Sequence, residues 1–264
     1  MWKHAAPALL LVCTACSPTF APPANPFTSS DELLANLLVC TGEDFFETYV
    51  AEARVEYYAQ GKARKGKLLI SAAHPDRLRL EVSSFTDDLV SLLLISAEGF
   101  TYFERGRRQI LTGPLCAAPK VSGIPLAEDP HLLIWLLLGR LPLMAGFRPG
   151  EPLTFSTRTG TYKLELSHQD FKQIIHVESD GKTLRSVTLE HLGEKILDLS
   201  YTGRTTARGR TYARRLRLTA SEQKLDLSLE IRDLRFDVPF RGEPFVFLPP
   251  KGTEMHHVDC DIRE

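Results

Sequence analysis

Leu225-Asp226-Leu227-Ser228-Leu229-Glu230-Ile231 sets an apolar side chain at every second position and a polar one between. That is the period of a β-strand, whose successive side chains point to opposite faces, so each such strand has one wet face and one apolar face. The same alternation runs through Leu78-Arg79-Leu80-Glu81-Val82, Leu164-Glu165-Leu166-Ser167 and Leu216-Arg217-Leu218-Thr219, and sets Val55 and Tyr57 against Arg54 and Glu56. Looser runs occupy 68–73, 89–97, 100–111, 151–157, 171–178, 183–192 and 195–203. Gly, Pro and Asp punctuate them, Asp180-Gly181 being a two-residue hairpin signal. The expectation is a mainly β (α+β) domain of about eleven strands in one antiparallel sheet rolled into a barrel.

Two segments keep a helical period instead. Asp31 or Ser30 can cap a helix over 31–41, with Leu33, Leu34, Leu37 and Leu38 as its apolar stripe and Thr41-Gly42 as its end. Pro130 to Gly139 is apolar almost all round: Asp129 can cap it, Pro130 suits its first turn and Gly139 its end. A helix apolar on every face has to be buried or lie against something apolar, and this one is too short to span a bilayer.

The first residues read differently. Lys3 and His4 precede a short apolar run from Ala5 to Val12, the layout of a signal peptide over 1–15. Cys13-Thr14-Ala15-Cys16 resembles the bacterial lipobox, departing from it at Cys13, where Leu is usual. That resemblance implies cleavage after Ala15 and lipidation of Cys16. Residues 16–30 then form an uncharged, Pro-rich tether, an extended spacer with Pro18, Pro22, Pro23 and Pro26. Ser17 is not the Asp that resembles an inner-membrane retention signal, which points to the periplasmic face of the outer membrane. Several acyl chains, at ~0.8 kcal/mol per buried CH2, would make such an anchor effectively permanent.

Charge narrows the partners. The formal net charge is -1, so no global field recruits nucleic acid. A local basic cluster of Arg204, Arg208, Arg210, Arg214, Arg215 and Arg217 reads as a solvated hairpin and strand face, or as a contact for anionic head groups or a partner. Once Cys13 leaves and Cys16 is lipidated, Cys40, Cys116 and Cys260 remain. Three thiols in an oxidising compartment allow one disulfide in three pairings. Position favours Cys40 with Cys116, each beside an expected helix or loop boundary.

A curled sheet of about eleven strands encloses more width than side chains fill, since eight is roughly the filled size. Two helices are few to dry its concave face. Either an apolar cavity or groove lies under a movable helical lid, or the barrel is flattened and its walls pack together. The alternation names the candidate lining. In the first half it is Leu80, Val82, Leu92, Leu94, Phe100 and Tyr102, with Trp135 and Leu136 from the lid. In the second half it is Leu153, Phe155, Leu164, Leu166, Leu197 and Leu199, then Leu216, Leu218, Leu227 and Leu229.

The order of elements over residues 31–250 resembles the LolA/LolB lipoprotein-carrier superfamily. The matching steps are the helix 31–41, the strands from Val55, Pro75-Asp76-Arg77-Leu78-Arg79-Leu80, the pair 89–103, the helix closing in Leu137-Leu138-Gly139, and a second meander ending in Phe245-Val246-Phe247-Leu248-Pro249-Pro250. The resemblance implies an unclosed antiparallel barrel with a helical lid and a cavity for acyl chains of lipids or lipoproteins. It also implies a membrane-anchored receptor with a protruding loop; Ser83 to Asp88 lies at the matching place, which makes Phe85 the candidate membrane contact, unless it packs inward at the rim. The Pro-rich tether and a C-terminal tail over 251–264 depart from the receptor pattern.

The residues show no phosphate loop, nucleophile elbow, His-Glu-x-x-His or paired Cys-x-x-Cys, so neither catalysis nor a cofactor is expected. Met255 to Asp261 holds His256, His257, Asp259 and Cys260, all ligand types, but in a tail expected to be poorly held, so no metal is assigned. His131 and Trp135, at i and i+4, read as a packing pair in the lid. The expected function is a lipid or lipoprotein binder, receptor or shuttle, at the outer membrane. The alternative is a structural envelope lipoprotein that docks a protein partner through the same fold.

Overall fold

The computed structural model describes residues 19–39, 45–59, 62–150, 152–222, 224–240 and 242–260. Cys13, Cys16, Cys40 and the helix end at Thr41-Gly42 lie outside the described residues. Helix α1 (Ser30–Val39) is followed by six strands: β1 (Thr48–Ala59), β2 (Lys62–Ala73), β3 (Arg77–Ser83), β4 (Leu89–Ser96), β5 (Gly99–Glu104) and β6 (Gln109–Gly113). A crossover carries the short α2 (Ala118–Ser122) and α3 (Pro130–Leu137) to β7 (Arg148–Pro149) and β8 (Thr154–Ser156). A second meander follows as β9 (Thr161–His168), β10 (Phe171–Glu178), β11 (Leu184–His191), β12 (Glu194–Ala207), β13 (Arg210–Ala220) and β14 (Leu225–Phe236), and β15 (Glu254–His257) comes last.

All fifteen strands among the described residues belong to one sheet, ordered β15-β6-β5-β4-β3-β2-β1-β14-β13-β12-β11-β10-β9-β7, with β8 also on β9. Strand β1 joins the two meanders by pairing with β2 on one side and β14 on the other. The sheet is mainly antiparallel and does not close on itself: β15 stands at one edge and β7 at the other. The mainly β, unclosed fold matches the expectation, and the strand number exceeds it. The run 100–111 is two strands, because Arg105 to Arg108 turn back on Glu104. Strand β15 lies in the tail expected to be poorly held. It pairs in parallel with β6, Glu254 opposite Gln109 through His257 opposite Thr112.

The helices start where side chains can satisfy their free N–H groups. The Asp129 carboxylate accepts from the Leu132 N–H at 2.9 Å, with Pro130 in the first turn of α3. In α1 the cap is Ser29 rather than Ser30 or Asp31: its hydroxyl accepts from the Glu32 N–H at 3.1 Å, while the Glu32 carboxylate reaches back to the Thr28 N–H at 2.9 Å. Leu33 and Leu37 are buried and Leu38 is exposed, so the apolar stripe is narrower than its leucines suggest.

The disulfide joins Cys116 to Cys260, not to Cys40, with Cα atoms 5.7 Å apart. The reason is β15, whose pairing with β6 brings the C-terminal end to the start of the crossover; Val258 N–H donates to Thr112 O at 2.8 Å. No local signal reveals that approach across 144 residues.

Candidate functional site

Register decides which side chains share a face. Leu80 stands opposite Leu93, which stands opposite Tyr102. Leu164 faces Ile175, Ile175 faces Val187, Val187 faces Leu199, and Leu199 faces Leu218. Leu218 meets Leu227 and Leu227 meets Tyr57, so the apolar row continues through β1. Leu80, Phe100, Leu164, Leu166, Leu197, Leu199, Leu216, Leu218 and Leu229 join one buried core cluster on this concave face, and Val82, Tyr102 and Leu227, only partly buried, pack against it. Trp135 and Leu136 enter it from α3, and Leu153 and Phe155 pack against its margin.

Leu92 and Leu94 do not. They lie on the convex face, in a separate cluster with Phe103 and Ile110. The cause is the C-terminal segment, which lays Phe247 over that patch, its ring centroid 5.1 Å from that of Phe103. Strand β4 is thus buried on both sides and carries apolar residues without alternation, so its sequence does not tell the faces apart. Leu93 and Ile95 are its concave residues, and Tyr57 and Leu111 complete the face.

The crossover packs onto the concave face, with Leu126, Leu141 and Phe147 in the core beside α3. Tyr201 donates its hydroxyl to Leu136 O at 3.2 Å, and the Ala213 N–H donates to Leu138 O at 3.3 Å, which ties α3 across β12 and β13. Phe46 and His74 close on Trp135 from the other side, with ring centroids 5.4 and 6.3 Å away. His131 accepts from the Trp135 indole N–H at 2.8 Å, the expected lid pair. Leu133, Ile134, Trp135 and Leu136 are buried, so α3 itself occupies the space under this part of the sheet. The hollow expected beneath the lid is taken by the lid's own side chains.

The strands of the meander end alternately on two rims. The lid rim carries the turns 157–160, 179–183 and 208–209; the opposite, open rim carries 84–88, 105–108, 169–170 and 192–193. Burial on the concave face falls toward the open rim. Along β3 it runs from Leu78 and Leu80, both buried, to a half-exposed Val82. Tyr57, Tyr102 and Leu227 are likewise half-exposed there. Arg64 and Glu104 stand at this mouth 4.0 Å apart. Burial and the nearby Glu104 charge push the Tyr102 hydroxyl up to about 12, so it stays a neutral donor at any physiological pH. The mouth is therefore apolar inward, with tyrosine hydroxyls at its lip and Glu104 paired there with Arg64 and, at 3.1 Å, with Arg107.

Phe85 stands exposed at the tip of the loop 84–88 on this rim. The loop is held by Ser84 N–H to Asp88 O at 2.9 Å and stapled by Lys67 to Asp87 at 2.6 Å and Arg105 to Asp88 at 2.8 Å. At the C-terminal end, His256 faces Glu254 at 3.5 Å and His257 faces Asp259 at 3.4 Å, in separate pairs. Two hollows on the convex face are polar or mixed: about 330 Å³ among Arg54, Glu56, Arg215 and Arg217, and about 820 Å³ between β4–β6 and Phe245.

No family model and no curated protein matches this sequence. Solved structures do match its fold. A DUF1329 family protein from Desulfovibrio piger superimposes with a TM-score of 0.57 at 12% identity, over 82% of this chain and 95% of that one. A protein domain from Vibrio parahaemolyticus, described as belonging to outer membrane lipoprotein sorting, gives 0.55 at 10% identity, over 81% and 94%. A LolA superfamily protein from Nitrosomonas europaea gives 0.54 at 9% identity, over 81% and 96%. The chain shares the fold of these proteins.

Proposed function

We propose that this chain is a lipoprotein anchored through Cys16 that binds acyl chains of a lipid or lipoprotein on its concave face, as a receptor or shuttle at the periplasmic face of the outer membrane. The observation that carries the reading is a continuous apolar face, plugged at one rim by α3 and half-exposed at the other around Tyr57, Val82, Tyr102 and Leu227. An acyl chain entering there leaves water at ~25 cal/mol per Å² of apolar surface, and no bond need be made or broken. The chain advances as α3 withdraws, so loading is a shift between a closed and an open lid. Phe85, on the stapled loop beside the mouth, is the proposed point of membrane contact. The fold shared with lipoprotein-sorting and LolA superfamily proteins supports the same reading.

Native mass spectrometry of the full-length protein, extracted gently from its membrane, tests this. Expected is a complex with co-purifying lipid or acylated protein, lost when Leu199 and Leu218 are both replaced by Asn in a variant that keeps its β circular dichroism. Protein free of lipid that also fails to take up a fluorescent fatty acid overturns it.

A further inference from the structure

Phe20 and Phe27 are anchored to the domain, and both lie on the lid rim. The Phe20 N–H donates to Thr157 O at 2.7 Å, and its ring lies so close to Gly160 that a Cβ there would meet it at 2.8 Å. The Phe27 N–H donates to the Tyr162 hydroxyl at 3.1 Å, the two rings meet edge to face at 5.5 Å, and a Cβ on Gly181 would meet Phe27 at 2.1 Å. The segment expected to be a free spacer is thus docked from residue 20 onward. Between Cys16 and Phe20 the chain can reach only about 14 Å even when fully extended. The open rim lies farther off, about 26 Å along an eight-residue strand such as β9 or β10.

Both rims carry exposed cations, Arg158, Lys182, Arg185 and Arg208 on the lid rim and Arg105, Arg107 and Arg108 on the open rim, so charge does not tell them apart. The open rim presents exposed apolar groups at three separate places: Tyr58, on the convex side of β1, at 50%, Phe85 at 59%, and Leu192, in the turn between β11 and β12, at 72%. Amphipathic or apolar tips of this kind fit insertion at a lipid interface.

We propose that the docked N-terminal segment holds the lid rim toward the membrane that carries the anchor, and that Tyr58, Phe85 and Leu192 meet a second lipid bilayer facing it. This rests on lipidation at Cys16, the reading given above. Acyl cargo then passes through the mouth to or from the opposing membrane rather than the anchoring one.

The test uses the lipidated full chain reconstituted in vesicles, with lipidation itself verified by mass spectrometry so that loss of the anchor is scored separately. Phe85→Trp and Leu192→Trp, one at a time, report contact with brominated lipids; Trp135 gives a constant buried background. Expected is no added quenching when the anchoring vesicle is brominated, with quenching and vesicle clustering when brominated vesicles are added afterwards. The double variant Phe20→Ser, Phe27→Ser frees about 14 residues of chain, enough for roughly 49 Å. Combined with Phe85→Trp, it is expected to bring the introduced indole into the anchoring vesicle. Quenching of both introduced indoles by the anchoring vesicle in the otherwise native chain overturns the proposal, as does the absence of quenching by either vesicle.

Discussion

Gly139 packs against Ala213 so closely that a Cβ on the glycine would stand 2.5 Å from the Ala213 Cβ. Gly139 also has φ +71°, in the left-handed region that follows a helix end. Steric contact and backbone geometry therefore both require glycine where α3 meets β13.

Gly139→Ala is expected to lift the end of α3 from β13, at a cost of about 1–3 kcal/mol. Urea unfolding should show the lower midpoint. The same variant should take up a fluorescent fatty acid faster than the native chain, because the lid starts partly displaced. Unchanged uptake in a destabilised protein would mean that α3 does not gate the concave face.

Leu92 and Leu93 are neighbours on opposite faces and equally buried. Truncation of either to Ala should cost about 2–5 kcal/mol. Leu93→Asn should abolish acyl binding, whereas Leu92→Asn should leave its affinity intact in whatever fraction folds. Fatty-acid titration monitored by fluorescence separates the two.

Loss of the Cys116–Cys260 bond in the Cys116→Ser, Cys260→Ser variant should cost about 2–5 kcal/mol, since it frees a loop that spans most of the domain. Strand β15 and Phe247 should then detach first, seen as early hydrogen exchange at residues 109–113 and 254–258. In the native protein, alkylation under denaturing, non-reducing conditions should label Cys40 and spare Cys116 and Cys260.

Glu165 is buried between Lys163 and Lys172, the latter at 3.2 Å, and these partners hold its carboxyl below the usual 4.5 against the opposing effect of burial. A depressed carboxyl pKa stabilises the fold above the unfolded value, and that contribution is lost as pH falls through the folded value. Stability should therefore drop as pH falls below 4.5. Lys163→Met should flatten this drop and lower the midpoint at neutral pH; urea midpoints measured across that range check both.

Period-two alternation determined by itself that this chain makes a large, one-sided sheet, because side-chain direction along a strand is fixed by the backbone. It also placed Leu80, Leu164, Leu199, Leu218 and Leu229 on the apolar face, and identified α3 as a buried helix from its lack of a polar side. It failed at β4, where a second layer supplied by residues 243–258 buries the convex face too and erases the alternation. Tertiary structure alone decided that Cys116 finds Cys260, that α3 fills the hollow it covers, and that the Pro-rich segment lies on the lid rim. Each of these depends on which distant surfaces meet, and a one-dimensional pattern records how a residue faces its own strand or helix, not what arrives from elsewhere in the chain to cover it.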